Sequence, residues 1–440
     1  MKNSDITQWY LSNFDVFEAS LNGDKQADFH TLRKQALAKF SDLGFPTPKD
    51  EEWKYTNIAP ILKHKFKLSG DSHTVSPDII KPFLFEGLDE FILVFVNGIF
   101  KPELSRQAAK DDGVIVESLK NARDRHADLL AKHLGQYIDF DSETFTAFNT
   151  AFVDDGAFVY IPKNTVLPEV VHIINLTDVA DDSAIIHPRN LIVLEEGAEA
   201  EVVESFHALT ENIYFNNLVT EVFVGKNAKL EHVKLQEESV SGYHISNSQV
   251  CQKRDSNYTT INIDLGGLLV RNNLNISLEG ENCESHLYGY YMGFEEQHID
   301  NHTFIDHAEP NCFSNELYKG ILDDKAQGVF NGKILVRQDA QKTNALQSNK
   351  TLLLTNDASV YAKPQLEIFA DDVKCTHGAT IGQLDDEALF YLRARGIGED
   401  MAGAMLRHAF VADVLDNVKI DSIRQKLDHD IIEKFTVKGR

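Results

Sequence analysis

The sequence of 440 residues lacks long hydrophobic runs, and none of its apolar stretches approaches the roughly 18 residues that a membrane-spanning helix needs. Its first residues, Met1–Asp5, also lack the charged and apolar regions of a secretory signal peptide. We therefore expect a cytoplasmic protein with no segment in a membrane.

Cysteine is scarce, and the cysteines that are present are far apart. The four residues, Cys251, Cys283, Cys312 and Cys375, are separated by at least 29 positions and form no Cys-x-x-Cys pair. This spacing excludes a zinc ribbon and a dithiol redox motif. In a reducing compartment it predicts four free thiols.

Basic residues are too few to balance the acidic ones. The chain has 43 Lys and Arg against 68 Asp and Glu, which gives a formal net charge of −25. A field of this sign repels phosphate backbones and anionic lipid headgroups. We therefore expect neither nucleic acid nor a membrane surface among the partners.

The common enzyme motifs are missing as well. The sequence has no Gly-x-Gly-x-x-Gly, no phosphate-binding loop that ends in Gly-Lys-Ser/Thr, no Gly-x-Ser-x-Gly elbow and no His-Glu-x-x-His. Any nucleotide-driven step must therefore come from another protein. Carboxylates are so numerous that a glycosidase pair cannot be selected among them.

The N-terminal third, residues 1–154, is predicted to be a mostly helical domain with a small β element. Apolar residues recur at helical spacing from Asp28 to Leu43, and Gly44 ends the pattern. The β-rich run Phe91–Val96 is followed by Asn97-Gly98, the dipeptide most typical of a tight hairpin. This domain is therefore expected to be α-helical around one hairpin.

Residues 155–372 are predicted to form a parallel β-helix. Short strands rich in Val, Ile, Leu, Phe and Tyr are broken every six to ten residues by Gly, Asn and Asp, with no long helical pattern. Similar turns contain Gly197, Gly225 and Gly280, which are 28 and then 55 residues apart, close to one and two periods of a stacked coil. A sandwich or barrel is the alternative, although more than 200 residues is long for one sandwich.

Residues 373–440 are predicted to form a C-terminal helical domain. Asp385 or Asp386 can cap a helix that stops at Gly396, and two further helical patterns follow. Each helix has one apolar stripe. Because a bundle this small cannot bury three stripes, some of this surface should meet the β region or a partner.

Cys375 and His377 form the most compact pair of soft ligands in the chain. Their spacing of two places both side chains on one face of an extended segment. Thiolate and imidazole are suitable ligands for iron, zinc or an iron–sulfur fragment, but two ligands do not complete a four-coordinate site. The remaining ligands would come from sulfide, water or another chain. The alternative is a buried cysteine beside a hydrogen-bonded histidine at a domain junction.

A second group of potential ligands lies upstream. His298, Asp300 and His302 alternate along a predicted strand and would point the same way, which is a possible metal-binding face. The same stretch contains Asp306, His307 and Cys312. The alternative is an ordinary polar outer face of a β-helix.

Several motifs in order resemble the SufB/SufD family of iron–sulfur cluster assembly proteins. The resemblance covers roughly residues 155–412 and is strongest from Asp371 to Gly396. Further matching segments are Asn301-His302-Thr303, Tyr318-Lys319-Gly320, Val329–Ile334, Ala340–Thr343, Gln347-Ser348-Asn349, Leu352-Leu353-Leu354 and Lys363–Ile368. Near the start, Glu51–Thr56 resembles the SufD branch, and the cysteine-rich elements typical of SufB are absent.

This resemblance implies a right-handed parallel β-helix between N- and C-terminal helical domains, and a non-catalytic scaffold subunit. It implies pairing with a SufB-like subunit through the β-helices, docking of a SufC-like ABC-type ATPase on the C-terminal helices, and sulfur supplied indirectly by a cysteine desulfurase. No cofactor is expected to bind tightly to the isolated chain, whereas iron or a nascent iron–sulfur cluster is expected transiently in the complex.

The resemblance also assigns residues. His377 is expected to face a cysteine of the SufB-like subunit and to help hold iron or the nascent cluster, with Cys375 at the same interface. The ATPase-docking region is expected to include Phe390, Tyr391, Leu392, Arg393, Arg395, Gly396 and Ile397. No ligand role follows for His298, His302 or His307.

Two alternatives to a scaffold follow from the residues alone. A carbohydrate-active β-helix enzyme would act on polysaccharides without partners. A stand-alone metal-binding protein would use the histidine-rich stretch and would contain stoichiometric metal. If the scaffold interpretation holds, the open side of a β-helix that lacks its partner could also pair two copies of the chain.

Overall fold

A computed structural model of the chain describes residues 3–21, 28–69, 76–108, 112–180 and 183–436. It is mainly β, with a parallel β-helix of about eight turns between N- and C-terminal helices. The fold class predicted from the sequence is therefore confirmed. The first two and last four residues of the predicted end domains lie outside the described ranges.

The helical elements lie at both ends of the chain. The α-helices are α1 (Asn3–Ser20), α2 (Asp28–Leu43), α3 (Ala59–Leu62), α4 (Leu119–Arg125), α5 (Ala127–His133), α6 (Thr144–Phe152), α7 (Asp386–Arg393), α8 (Glu399–Leu415) and α9 (Asp421–Thr436), and the 3-10 helices are Glu51–Trp53 and Pro77–Phe83. None of the helices in the described ranges combines the length and apolar composition needed to cross a bilayer.

The strands form two long sheets, which are the two faces of the β-helix. They are β1 (Lys67–Leu68), β2 (Phe91–Val96), β3 (Ile99–Phe100), β4 (Arg106–Gln107), β5 (Ile115–Ser118), β6 (Ala157–Ile161), β7 (Val171–Thr177), β8 (Ala184–Ile186), β9 (Arg189–Leu194), β10 (Glu199–Ala208), β11 (Tyr214–Val224), β12 (Lys229–Glu237), β13 (Gly242–Gln252), β14 (Asn257–Asp264), β15 (Leu269–Leu278), β16 (Glu284–Gly293), β17 (His298–His307), β18 (Phe313–Leu322), β19 (Gln327–Val336), β20 (Asn344–Leu353), β21 (Ser359–Ile368) and β22 (Lys374–Gly382).

Successive coils pair in parallel. The first sheet runs β21-β19-β17-β15-β13-β11-β9-β6-β5, and the second runs β22-β20-β18-β16-β14-β12-β10-β7-β2-β3. Tyr214 pairs with Gly242, 28 residues later, which matches the predicted period. Within the described ranges, antiparallel pairs occur only at the N-terminal end, where β2 pairs with β3 and β4, and β5 pairs with β6.

At one corner of the β-helix, successive coils each have a residue with a left-handed backbone conformation. Asn, Asp and Gly tolerate this backbone conformation better than other residues, which explains the turn residues noted in the sequence. The Asn227 N–H donates to the Arg254 carbonyl of the next coil at 3.0 Å, and the Asp255 N–H donates to Glu281 at 3.0 Å. The residues in this column are Asn164, Gly197, Asn227, Asp255, Asn282, Asn311 and Lys342.

The hairpin predicted at Asn97-Gly98 is present, but it belongs to the β-helix. Both residues have positive φ, 53° and 77°, as a tight turn between β2 and β3 requires. However, β2 also pairs in parallel with β7, so it starts the second sheet. The predicted helix end is confirmed too, because α2 stops at Leu43 and Gly44 has φ +62°.

The predicted boundary between β-helix and C-terminal domain, after residue 372, is wrong by about one strand. β22 (Lys374–Gly382) pairs along its length with β20, so the β-helix continues to Gly382. The β-helix ends where the chain leaves β22 and the Asp385 carboxylate caps α7 by accepting from the N–H groups of Glu387 and Ala388. Cys375 and His377 therefore lie in the last coil.

The terminal helices cover the outer faces of both sheets. Val411 on α8 and Leu427 on α9 pack with Ile261 and Ile321 on the second sheet. This confirms that the predicted apolar stripes meet the β region. On the other face, Phe145 of α6 packs with the first sheet.

The cysteines are free thiols, as predicted, and differ in exposure. Cys251, Cys283 and Cys312 are buried in the β-helix, at 3%, 0% and 1% exposure. Cys375 in the last coil is half-buried. Burial raises the pKa of its thiol, and the Ala345 backbone hydrogen bond only partly offsets this effect.

We predict that Gly280→Ala destabilises the β-helix. A Cβ at this corner would overlap the Arg254 backbone of the preceding coil, so the strands would have to move apart. We expect the free energy of unfolding to fall by about 1–3 kcal/mol, the usual cost of overpacking. Chemical denaturation measures this loss. Gly382→Ala is the control, because a Cβ at Gly382 meets nothing within 4 Å; equal loss in both variants would contradict the corner explanation.

We also predict that Cys375 reacts with iodoacetamide before the other three cysteines in the folded chain. Because its pKa is raised, the labelling rate should keep increasing with pH beyond the point at which an ordinary exposed cysteine levels off. Mass spectrometry of peptides from timed samples identifies the labelled residue, and Cys375→Ser is the control. Early labelling of Cys283 or Cys312 would contradict the described burial.

Candidate metal-binding edge

The β-helix ends in two strands that each have one neighbour. β21 pairs only with β19, and β22 pairs only with β20, among the strands of the described ranges. Their outer edges therefore present backbone N–H and C=O groups that are available to another strand. Such an edge is a ready template for pairing with a second chain.

Cys375 and His377 lie side by side on the inward face of β22. Cys375 is in register with Ala345 and packs against the interior core, and His377 is in register with Gln347. The Cys375 side chain is half-buried, whereas His377 is exposed. Both residues therefore lie at the end of the β-helix, and their role as ligands stays a prediction.

The donors at this edge are too few to close a metal site. Over the described ranges, the structure contains no group of three or more His, Cys, Asp or Glu side chains arranged to hold a metal ion. A thiolate and an imidazole supply two of the four ligands of a tetrahedral iron or zinc centre. Cys375 and His377 could therefore supply at most half of the ligands of such a centre.

Apolar side chains border the edge. Tyr361, Ile368 and Phe369 are 42%, 40% and 64% exposed near β21, and Ile381 on β22 is 50% exposed. Large apolar side chains grouped at an open sheet edge mark an interaction surface. Cys375 and His377 are therefore surrounded by a surface suited to protein contact.

Buried polar side chains lie behind His377, inside the β-helix. Gln347 donates to Glu316 at 2.8 Å, and Thr303 donates to the other carboxylate oxygen at 2.6 Å. Burial raises the pKa of Glu316 to about 7, although these two hydrogen bonds act against it. Sequence reasoning assigned no role to Glu316 or Gln347, although Gln347 lies in one of the segments that resemble the family. The available signal was the coil period, because residues 316, 347 and 377 are 31 and 30 positions apart.

His298, Asp300 and His302 lie on one face of β17, as predicted, but they contact groups of this chain. His298 Nε2 lies 2.8 Å from Thr56 Oγ1, whereas Asp300 and His302 contact the Arg271 guanidinium. Arg271 Nη1 lies 3.0 Å from Asp300 Oδ2, and His302 Nε2 lies 3.0 Å from Oδ1. Burial acts to raise the pKa of Asp300, but His302 and Arg271 outweigh it and the pKa is lowered. The buried carboxylate thus has its counter-charge within the chain.

This network fastens the N-terminal segment Glu51–Thr56 to the last coils. The Arg271 guanidinium stacks on Trp53 at 3.7 Å from the ring centroid, and Thr56 donates to Asp300. At the terminal strand, Tyr55 stacks on Tyr361 at 4.6 Å. The segment noted in the sequence therefore supports the outer face of the coils next to the open edge.

The predicted docking region forms α7 and the turn after it. Phe390 and Tyr391 are 74% and 56% exposed, and α7 buries none of its residues. The Arg395 guanidinium lies over the Tyr391 ring at 3.3 Å. Gly396 has φ +87° and ends the helical segment. Of the other residues in this region, Leu392 and Ile397 are half-buried, and Arg393 is exposed and pairs with Glu399.

Comparison with known proteins gives consistent matches along the chain. Residues 176–410 match the family model of the SufBD core domain of the SUF iron–sulfur cluster assembly system, and residues 4–173 match the SufBD N-terminal region. A SufBD family iron–sulfur cluster assembly protein of Synechocystis sp. is 35% identical over 93% of this chain and 92% of its own.

Two relatives named SufD align over nearly their full length. The iron–sulfur cluster assembly protein SufD of Escherichia coli K12 is 32% identical over 96% of this chain and 95% of its own. SufD of Bacillus subtilis 168 is 28% identical over 96% of both chains. On both family models and on these nearly full-length alignments, the chain belongs to the SufBD family of iron–sulfur cluster assembly proteins.

Proposed function

We propose that the chain is the SufD-type subunit of a SUF complex and acts as a scaffold without a catalytic centre of its own. In this role it pairs with a SufB-like subunit along β21 and β22. The observation that supports this best is the position of Cys375 and His377 on a strand whose outer edge has no partner in the described ranges. The proposed location is the cytoplasm.

Under this proposal the partner completes the site. Two ligands from this chain and two from the SufB-like subunit would complete the tetrahedral set of a single iron. The same four would also supply the protein ligands of a [2Fe–2S] cluster, in which bridging sulfides fill the other positions on each iron. Iron or the cluster is thus the substrate of the complex, held transiently at the interface, and the isolated chain retains no tightly bound cofactor. Sulfur reaches the interface from a cysteine desulfurase through the partner.

The proposed docking surface for a SufC-like ABC-type ATPase is the exposed part of α7 and α8. Phe390 and Tyr391 on α7, and Met401 and Met405 on α8, are large apolar side chains that are 41–74% exposed. Aromatic residues of this kind commonly dominate binding energy at protein interfaces. No phosphate-binding loop occurs in the chain itself, so the ATPase would supply the nucleotide chemistry.

We predict that His377→Ala lowers the yield of assembled cluster by about tenfold or more in a complex reconstituted with SufB-like and SufC-like subunits, because one ligand is removed. Absorbance and iron and sulfide analysis measure the yield, and size-exclusion chromatography checks that the complex still forms. His429→Ala is the control, since His429 on α9 has a 75% exposed side chain remote from the edge strands in sequence. A normal cluster yield with His377→Ala would overturn the ligand assignment.

We predict that the double variant Phe390→Asp, Tyr391→Asp weakens ATPase binding about 30-fold or more, which corresponds to the loss of one interface hot spot. Isothermal titration calorimetry with the SufC-like protein measures the dissociation constant. Val16→Asp changes an equally exposed apolar residue on α1 and should have no effect.

Unchanged affinity in the double variant would contradict docking on α7.

Pairing with the SufB-like subunit is measured separately by size-exclusion chromatography. If two copies of the chain pair through the edge of β21 and β22, adding the SufB-like chain should dissociate this homodimer. A homodimer that persists in the complex would show that the two partners do not use the same edge.

A further inference from the structure

Three polar side chains from consecutive coils line up inside the end of the β-helix. Glu316 on β18 is in register with Gln347 on β20, and Gln347 is in register with His377 on β22. In-register neighbours on adjacent strands are separated by one strand spacing, about 4.8 Å. Glu316 and Gln347 are only 1% and 3% exposed, so this line runs from the closed interior to the open edge.

The Gln347 amide has a defined orientation. Its Nε2 donates to Glu316 Oε2 at 2.8 Å, and Thr303 fixes the other Glu316 oxygen. The amide also lies against Gly332, where any Cβ would overlap it. With the amino group directed at Glu316, the amide oxygen is left on the opposite side.

That oxygen is buried and has no hydrogen-bond partner within the part of the chain that the structure describes. A buried acceptor without a donor is unfavourable by roughly 1–3 kcal/mol, so it calls for a donor nearby. The His377 ring belongs to the next side chain in register and is exposed, which leaves it free to rotate. A neutral imidazole has one N–H donor and one bare nitrogen.

We infer that Gln347, held by Glu316 and Thr303, is a positioning residue that accepts a hydrogen bond from the His377 N–H and thereby fixes the bare nitrogen towards the open edge. The inference rests on the proposed ligand role of His377. Hydrogen bonding of the second ring nitrogen is the usual way in which proteins orient a metal-binding histidine. The neutral amide does so without adding charge beside the thiol.

The test is the tautomer of His377 in the isolated full chain. ¹⁵N-histidine labelling and long-range ¹H–¹⁵N correlation spectra at a pH where the ring is neutral distinguish a protonated nitrogen from a bare one. The His377 signals are assigned as those lost in His377→Ala. We expect well-separated signals of one tautomer in the unaltered chain, and a shift of both towards averaged values in Gln347→Met, which keeps the side-chain length but has no amide.

Asn349→Leu is the matched control. Asn349 lies on the same strand and face, is 0% exposed, and is in register with Ala379 rather than His377. It should leave the His377 signals unchanged. Gly332 lies on the opposite sheet, and the Cβ added in Gly332→Ala would displace the Gln347 amide. This variant should therefore reproduce the shift, and it provides a second test if Gln347→Met fails to fold. Identical His377 signals in the unaltered chain and the folded variants would overturn the inference.

The same variants separate this inference from the proposed function. In the reconstituted complex, Gln347→Met should lower cluster yield about tenfold, as loss of a hydrogen bond to a metal ligand commonly does. A normal yield with His377→Ala, together with the expected tautomer shift, would overturn the ligand role and leave the hydrogen bond established. A low yield with His377→Ala, but an unchanged tautomer in Gln347→Met, would overturn only the role of Gln347.

Discussion

Lateral hydrogen bonding between coils in register is the constraint on which the rest of the structure depends. Each strand of a parallel β-helix satisfies its backbone groups through the coil before and the coil after it, so both ends need a special solution. At the N-terminal end, antiparallel strands close the sheets: β3 and β4 pair with β2, and β5 pairs with β6. At the C-terminal end, β21 and β22 have no second neighbour in the described ranges, and this is where the candidate ligands lie.

The helices that cover the sheets add to this difference between the closed N-terminal end and the open C-terminal end of the β-helix. The α8–α9 pair buries the outer face of the second sheet through apolar residues as far as Ile321 on β18, and Phe145 on α6 belongs to the core that covers part of the first sheet. Most residues of β22 are exposed, and none of β21 is fully buried. The proposed interaction surface thus lies where both hydrogen-bond pairing and helical cover stop, rather than on an added binding domain.

The features predictable from sequence are those set by local chemistry. Gly44 ends a helix, Asn97-Gly98 makes a hairpin, and corner glycines such as Gly280 allow coils to stack, because each depends on backbone conformation or steric contact near one residue. The end of the β-helix was placed too early because the partner of β22 lies 30 residues upstream. For the same reason, the counter-charge of Asp300, which comes from Arg271 on another coil, could not be recognised from the histidine-rich stretch.

A buried lysine connects α8 directly to the second sheet of the β-helix. The Lys319 ammonium on β18 lies 2.5 Å from both the Phe410 carbonyl and an Asp413 carboxylate oxygen, so the helix is tied to the strand by a buried side chain. β22 is two strands away in the same sheet, about 10 Å at the usual strand spacing. A displacement of α8 would therefore reach Cys375 and His377 through the two ladders of backbone hydrogen bonds that join β18 to β20 and β20 to β22.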